Sequence, residues 1–100
     1  MKNYELLTVF KPNLDAEEVE KNLSKIEKDI KNFKGSILES NKIGRKKLAY
    51  EIQKFRDGFM VSQIISLPED KVADFKRLLR LNDSILRMMF LDVTKKYAVN

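Results

Sequence analysis

Residues 36–67 read SILESNKIGRKKLAYEIQKFRDGFMVSQIISL, and the fold turns on them. Two extended segments follow one another here with no helix between. Residues 36–54 are strand-like with an interruption at Gly44, where a bulge or bend is expected. Phe55, Arg56, Asp57 and Gly58 supply a turn, and residues 59–67 form the next strand. Two consecutive strands joined by a short turn make an antiparallel hairpin.

Helical patterns flank the hairpin on both sides. Upstream, Val19, Leu23, Ile26, Ile30 and Phe33 fall on one face of a helix over residues 15–34. Asp15 with Glu18 three residues on forms a capping box, and Gly35 is placed as the stop. The lysines of this helix are interleaved with Glu17, Glu18, Glu20, Glu27 and Asp29, the pattern of a solvated face, and no function is assigned to them. Downstream, Pro68 opens a second helix with Glu69 and Asp70 near its positive end. Val72, Phe75, Leu78 and Leu79 are its buried stripe, and Asn82-Asp83 ends it.

The outermost segments are strands. In residues 3–10, Tyr4, Leu6, Thr8 and Phe10 share one face, and Asn3, Glu5, Leu7 and Val9 share the other. Lys11-Pro12-Asn13 breaks that strand, and residues 84–93 form the last one. The order is strand-helix-strand-strand-helix-strand. In a 100-residue chain this is the α+β pattern of a ferredoxin-like split βαβ sandwich, a four-stranded antiparallel sheet with two helices on one face. Residues 1–94 make one domain and residues 95–100 a short tail.

Composition narrows the chemistry. The chain has no cysteine and no histidine, which removes disulfides, thiolate or imidazole zinc sites, and Ser-His-Asp or Cys-His nucleophiles. No apolar run approaches the roughly 20 residues that cross a bilayer, and the first residues do not read as a signal peptide. An acylphosphatase-like hydrolase on the same architecture needs an anion-cradling loop with a positioned arginine. The corresponding Lys11-Pro12-Asn13-Leu14 has neither glycine nor arginine. A ligand-sensing regulatory domain would usually be fused to a catalytic partner, and an RNA recognition motif needs an aromatic-rich third strand that Phe59-Met60-Val61-Ser62-Gln63 lacks. No catalytic residue, metal, cofactor, small-molecule substrate or membrane association is expected.

The net charge of +5 is compatible with a polyanionic partner, and its placement matters more than its size. Arg45, Lys46 and Lys47 precede the alternating Leu48, Tyr50 and Ile52, which anchor one face of the strand. These cations either neutralise phosphates or protect a solvated edge strand from aggregation. With the turn at residues 55–58, residues 36–43 overhang the partner strand. The overhang, with Ile37, Leu38 and Ile43, is then either a docking edge or a segment folded back on its own sheet. Leu7, Val9, Met60 and Met88 belong to strands with apolar residues on both faces, so the face without helices is either a partner surface or ordinary scattered apolar surface. Tyr4 beside Lys2 either stacks on an unpaired base or closes the core edge, and Arg87 pairs with an internal carboxylate or an RNA phosphate.

Taken together, Met1-Lys2-Asn3-Tyr4-Glu5, the run Gly44-Arg45-Lys46-Lys47-Leu48-Ala49-Tyr50-Glu51-Ile52, Leu67-Pro68-Glu69-Asp70 and Leu81-Asn82-Asp83 resemble bacterial small-subunit ribosomal protein six over essentially the whole chain. The resemblance implies a structural constituent of the small ribosomal subunit, located in the cytoplasm and not an enzyme. It implies binding to the central domain of small-subunit ribosomal RNA together with small-subunit ribosomal protein eighteen, in support of platform assembly. Carried over residue by residue, it favours Lys2, Tyr4, Arg45, Lys46, Lys47, Lys54 and Arg87 as RNA-facing. Leu86 departs from the pattern, standing where a second basic residue is expected beside Arg87.

Overall fold

The computed structural model describes residues 2–94, so the expected tail at residues 95–100 lies outside the described residues. The elements are β1 (Lys2–Phe10), α1 (Ala16–Asn32), β2 (Ser36–Ile52), β3 (Phe55–Leu67), a 3-10 turn (Glu69–Lys71), α2 (Val72–Arg80) and β4 (Ile85–Asp92). The strands form one sheet in the order β2-β3-β1-β4, and every pairing is antiparallel. This is the split βαβ sandwich expected from the element order.

Alternation along the central strand decides which side is core. Tyr4, Leu6, Thr8 and Phe10 are buried and lie opposite Ile65, Gln63, Val61 and Phe59 of β3. Val19, Ile26 and Ile30 of α1 and Phe75 and Leu79 of α2 pack on that same face. Burying such side chains contributes about 1.5–3 kcal/mol each, which is what holds the helices on the sheet. Phe75 joins the layers by edge contacts, with ring centroids 6.3 Å from Phe33 and 6.1 Å from Phe90. Asn82 donates to the Asn22 side chain at 2.7 Å, tying the end of α2 to α1.

Local signals fix the helix ends. Asp15 accepts from the Glu18 N–H at 2.8 Å, and Glu18 accepts from the Asp15 N–H at 3.3 Å, which completes the capping box. At the other end the Gly35 N–H donates to the Ile30 carbonyl and the Lys34 N–H to the Lys31 carbonyl, the Schellman pattern. Lys34, not Gly35, takes the left-handed backbone there, with φ 66°.

Two expectations about the hairpin are corrected. The turn is at Gln53 and Lys54, with φ 48° and 70°, and Ile52 pairs with Phe55 across it. Asp57 and Gly58 lie within β3. A Cβ on Gly58 would sit 2.5 Å from Val9 Cγ1, so close strand approach, not a turn, accounts for that glycine. Moving the turn moves the register. Ser36 pairs with Ser66 and Ile37 with Ile65, so residues 36–43 are carried along β3 and do not overhang it. The ladder slips between Ile37 and Glu39, between Lys42 and Gly44, and between Lys47 and Ile52. Gly44, with φ 103°, stands at the second slip, where a bulge was expected.

Candidate nucleic-acid interface

The third slip shapes the surface. Residues 48–51 of β2 face only Arg56 between the paired positions Lys47–Asp57 and Ile52–Phe55. So many extra residues on one strand bend it sharply. The tip of the hairpin therefore curls over the face of the sheet that carries no helices. Leu48, Tyr50 and Ile52 line a cavity of about 200 Å³ with Leu7, Val9, Met60, Arg87 and Met89. The Arg87 guanidinium donates to the Tyr50 hydroxyl and lies 5.7 Å from the Tyr50 ring centroid. Tip and last strand are thus joined by a hydrogen bond and a cation–π contact.

The expected partner-facing residues separate under this geometry. Leu7, Val9 and Met60 do lie on the helix-free face, but the chain's own hairpin tip overhangs them, and Val9 is only 5% exposed. Met88 is a correction. It lies opposite core-facing Thr8 and packs against the core, whereas Met89 lies opposite Leu7 and is exposed on the helix-free face with Leu91. Ile37 also packs against the core, which removes it from the docking edge. Leu38 and Ile43 are exposed along edge strand β2, each at a slip in the ladder.

The expected RNA-facing residues separate as well. Tyr4 is a correction: it is 6% exposed, and its ring centroid lies 5.0 Å from that of Phe90 inside the core. Burial pushes its phenol above the ordinary value, with the Asp92 carboxylate adding to the effect. A ring enclosed in this way presents no face to a base. Lys2 bridges Glu69 at 3.3 Å and Asp92 at 3.6 Å, and its amine is raised above the usual value, first by the hydrogen bond to Glu69. A phosphate at Lys2 must compete with both carboxylates.

Arg45 pairs with Asp57 at 2.9 Å, with its own side chain still largely exposed. Lys46, Lys47 and Lys54 have no carboxylate within ion-pair distance among the described residues. Residues 45–57 hold five cations (Arg45, Lys46, Lys47, Lys54, Arg56) and two carboxylates (Glu51, Asp57), a net +3 where the whole chain carries +5. The charge is therefore concentrated on the hairpin, as a phosphate-binding surface requires. Of the alternatives for Arg87, the internal carboxylate is corrected, since its partner among the described residues is the Tyr50 hydroxyl. Leu86, where a basic residue was expected, is buried beside the slip between Val9 and Phe10.

Sequence reasoning missed Tyr50, Arg56 and Met89 as surface-defining residues. Tyr50 alternates with Leu48 and Ile52 and so reads as a core-facing position, and only the curl of the tip brings it out. Among the described residues no cluster of histidine, cysteine or acidic side chains is arranged to hold a metal ion, and no helix is long and apolar enough to cross a membrane.

A four-stranded antiparallel sheet with two helices on one face, and its charge gathered on one long, curled hairpin, defines a small ferredoxin-like α+β protein. Within that class the comparisons with known proteins are specific. The chain belongs to the ribosomal protein S6 family, whose profile matches residues 3–92. Small ribosomal subunit protein bS6 of Phytoplasma mali is 36% identical over 87 residues, covering 87% of this chain and 93% of that one. The bS6 protein of Thermus thermophilus is 29% identical over 100 residues, covering 100% and 99% of the two chains. The crystal structure of 30S ribosomal protein S6 from Thermotoga maritima superposes with a TM-score of 0.88 at 26% identity, over 97% of this chain and 94% of that one. The family is a structural one of the bacterial small ribosomal subunit, located in the cytoplasm within the ribosome.

Proposed function

We propose that this chain binds the central domain of small-subunit ribosomal RNA together with small-subunit ribosomal protein eighteen, and so supports assembly of the platform. The observation that carries the reading is the gathering of net +3 on residues 45–57 in a chain of the ribosomal protein S6 family. Lys46, Lys47 and Lys54 meet phosphates first, because no carboxylate among the described residues holds them. Arg45 can exchange Asp57 for a phosphate, since an exposed ion pair is worth only about 0–1 kcal/mol. Arg87 lies at the inner border of the same surface, beneath the hairpin tip. Leu38 and Ile43 on the edge strand, with Met89 and Leu91 on the helix-free face, offer the apolar contacts for the protein partner. No chemical step is involved. A bound protein stabilises one RNA conformation by its differential affinity for it, and a partner that adds contacts deepens that preference.

The test is equilibrium binding of a central-domain RNA fragment by this chain alone, by protein eighteen alone, and by both. The reading expects the pair to bind more tightly than either component. Equal affinity with and without the partner contradicts joint binding, and no binding under any condition contradicts the RNA assignment.

A further inference from the structure

Tyr50 is the aromatic residue among the large hydrophobic side chains exposed in the described part of the chain, at 59%. An exposed ring is ordinary by itself, but the surroundings of this one are not. Its hydroxyl is held by Arg87, whose guanidinium also lies against the ring. A groove of about 280 Å³ beside it is lined by Lys47, Leu48, Tyr50, Glu51 and Arg56. Three cations thus surround one accessible, oriented ring. Among the described residues Glu51 is the sole carboxylate lining that groove, and Arg56 lies 3.7 Å from it.

We propose that Tyr50 is a stacking platform for an unpaired RNA base, with Lys47, Arg56 and Arg87 receiving the phosphates on either side of it. The inference rests on the RNA-binding reading and deepens it. Proteins that hold single-stranded nucleic acid combine a basic groove with aromatic rings, because every base has a π-face and every nucleotide a phosphate. Tyr50 meets both requirements where Tyr4, enclosed in the core, meets neither. The bond to Arg87 restrains the ring before binding, which lowers the ordering cost on association. Residues 48–51 stand out of the regular ladder, so the platform projects from the sheet. Stacking carries little base identity. The platform selects unpaired over paired RNA, and sequence preference must come from elsewhere.

The experiment compares the intact chain with Tyr50→Ala and Tyr50→Phe on two RNAs: a stem closed by an unpaired uridine loop, and the same stem as a blunt duplex. Thermal melts confirm that each variant is folded. Tyr50→Ala is expected to weaken loop binding by about 5- to 150-fold while leaving the duplex unchanged, and Tyr50→Phe to stay within about twofold of the parent. With 5-iodouridine in the loop, photocrosslinking is expected to fall on Tyr50. If Tyr50→Phe loses as much as Tyr50→Ala, the hydroxyl merely positions Arg87 and the platform is refuted. Equal losses on both RNAs, or no loss on either, refute it too and leave the ring to hairpin structure or a protein contact. If the intact chain binds both RNAs with salt-dependent affinity but no preference for the loop, the platform fails and the RNA reading stands. If it binds neither, the platform fails, and the RNA reading falls with it only if the central-domain fragment with protein eighteen is not bound either.

Discussion

Glycine at position 35 and lysine at position 34 should respond to substitution in opposite directions. A Cβ built on Gly35 lies 2.3 Å from the Ser66 carbonyl oxygen, 2.9 Å from Leu67 Cδ2 and 3.1 Å from Ile30 Cγ2. The first contact is with backbone, and Ser66 is registered with both Ser36 and Asn3. The oxygen cannot withdraw without disturbing two strand pairings, so the end of α1 must lift from the sheet instead. Overpacking of this kind costs about 1–3 kcal/mol, and a backbone obstacle places Gly35→Ala in the upper part of that range. For a domain of this size that lowers Tm by about 4–8 °C per kcal/mol. Lys34 sits in the left-handed region at φ 66°. That conformation costs an L-residue about 1–2 kcal/mol, and glycine gives back about 0.5–1 kcal/mol in unfolded-state entropy. Lys34→Gly should therefore stabilise by about 0.5–1 kcal/mol. Urea unfolding followed by circular dichroism reads both variants, with an unchanged m-value as the check on two-state behaviour. A Gly35→Ala midpoint indistinguishable from the parent, or a Lys34→Gly midpoint below it, refutes the account of how α1 stops against β3.

Thr8 is fully buried and its hydroxyl has no hydrogen-bond partner among the described residues; Thr8→Val should raise stability by about 1 kcal/mol in chemical denaturation. The Asp92 carboxyl is held below its ordinary value, first by the Thr94 hydroxyl and N–H and then by Lys2. Its folded value lies under its unfolded one, so its stabilisation is present at neutral pH and is lost as pH falls through the depressed folded value. Asp92→Asn should flatten the acid limb of a Tm-against-pH profile. The Lys2 amine is shifted upward, so its contribution persists through neutrality and is lost as pH rises through the raised value; Lys2→Met should flatten the alkaline limb.

Much of the fold was legible because its signals are local. Asp15 and Glu18 are three residues apart, and the cap they announce is the cap observed. The alternation of Tyr4, Leu6, Thr8 and Phe10 named the core face of a central strand correctly. The hairpin misled for an equally local reason. Asp57-Gly58 is a strong turn signal, whereas Gln53-Lys54 occupies a turn with positive φ at both central positions, where Asn-Gly would be usual. The cost of that conformation is met by pairing along the rest of β2 and β3, which no short window reveals. Choosing Met88 over Met89 failed because period-two alternation separates two faces without saying which one the helices cover. The site was legible as a segment and illegible as a surface. Arg45, Lys46 and Lys47 stand out in the sequence, but the Asp57 partner of Arg45 and the return of Tyr50 onto Arg87 depend on a curl set by unequal strand lengths.

Phosphate recognition by the hairpin is tested most directly by the salt slope of binding to the central-domain RNA fragment. Each neutralised phosphate lowers log affinity by about 0.7–0.9 per decade of salt. Changing Lys46 and Lys47 together to alanine, with Arg45 left on Asp57, should therefore reduce the magnitude of the slope by about 1.4–1.8 and leave the thermal melt unchanged. An unaltered slope in a folded variant would contradict the claim that this hairpin meets RNA.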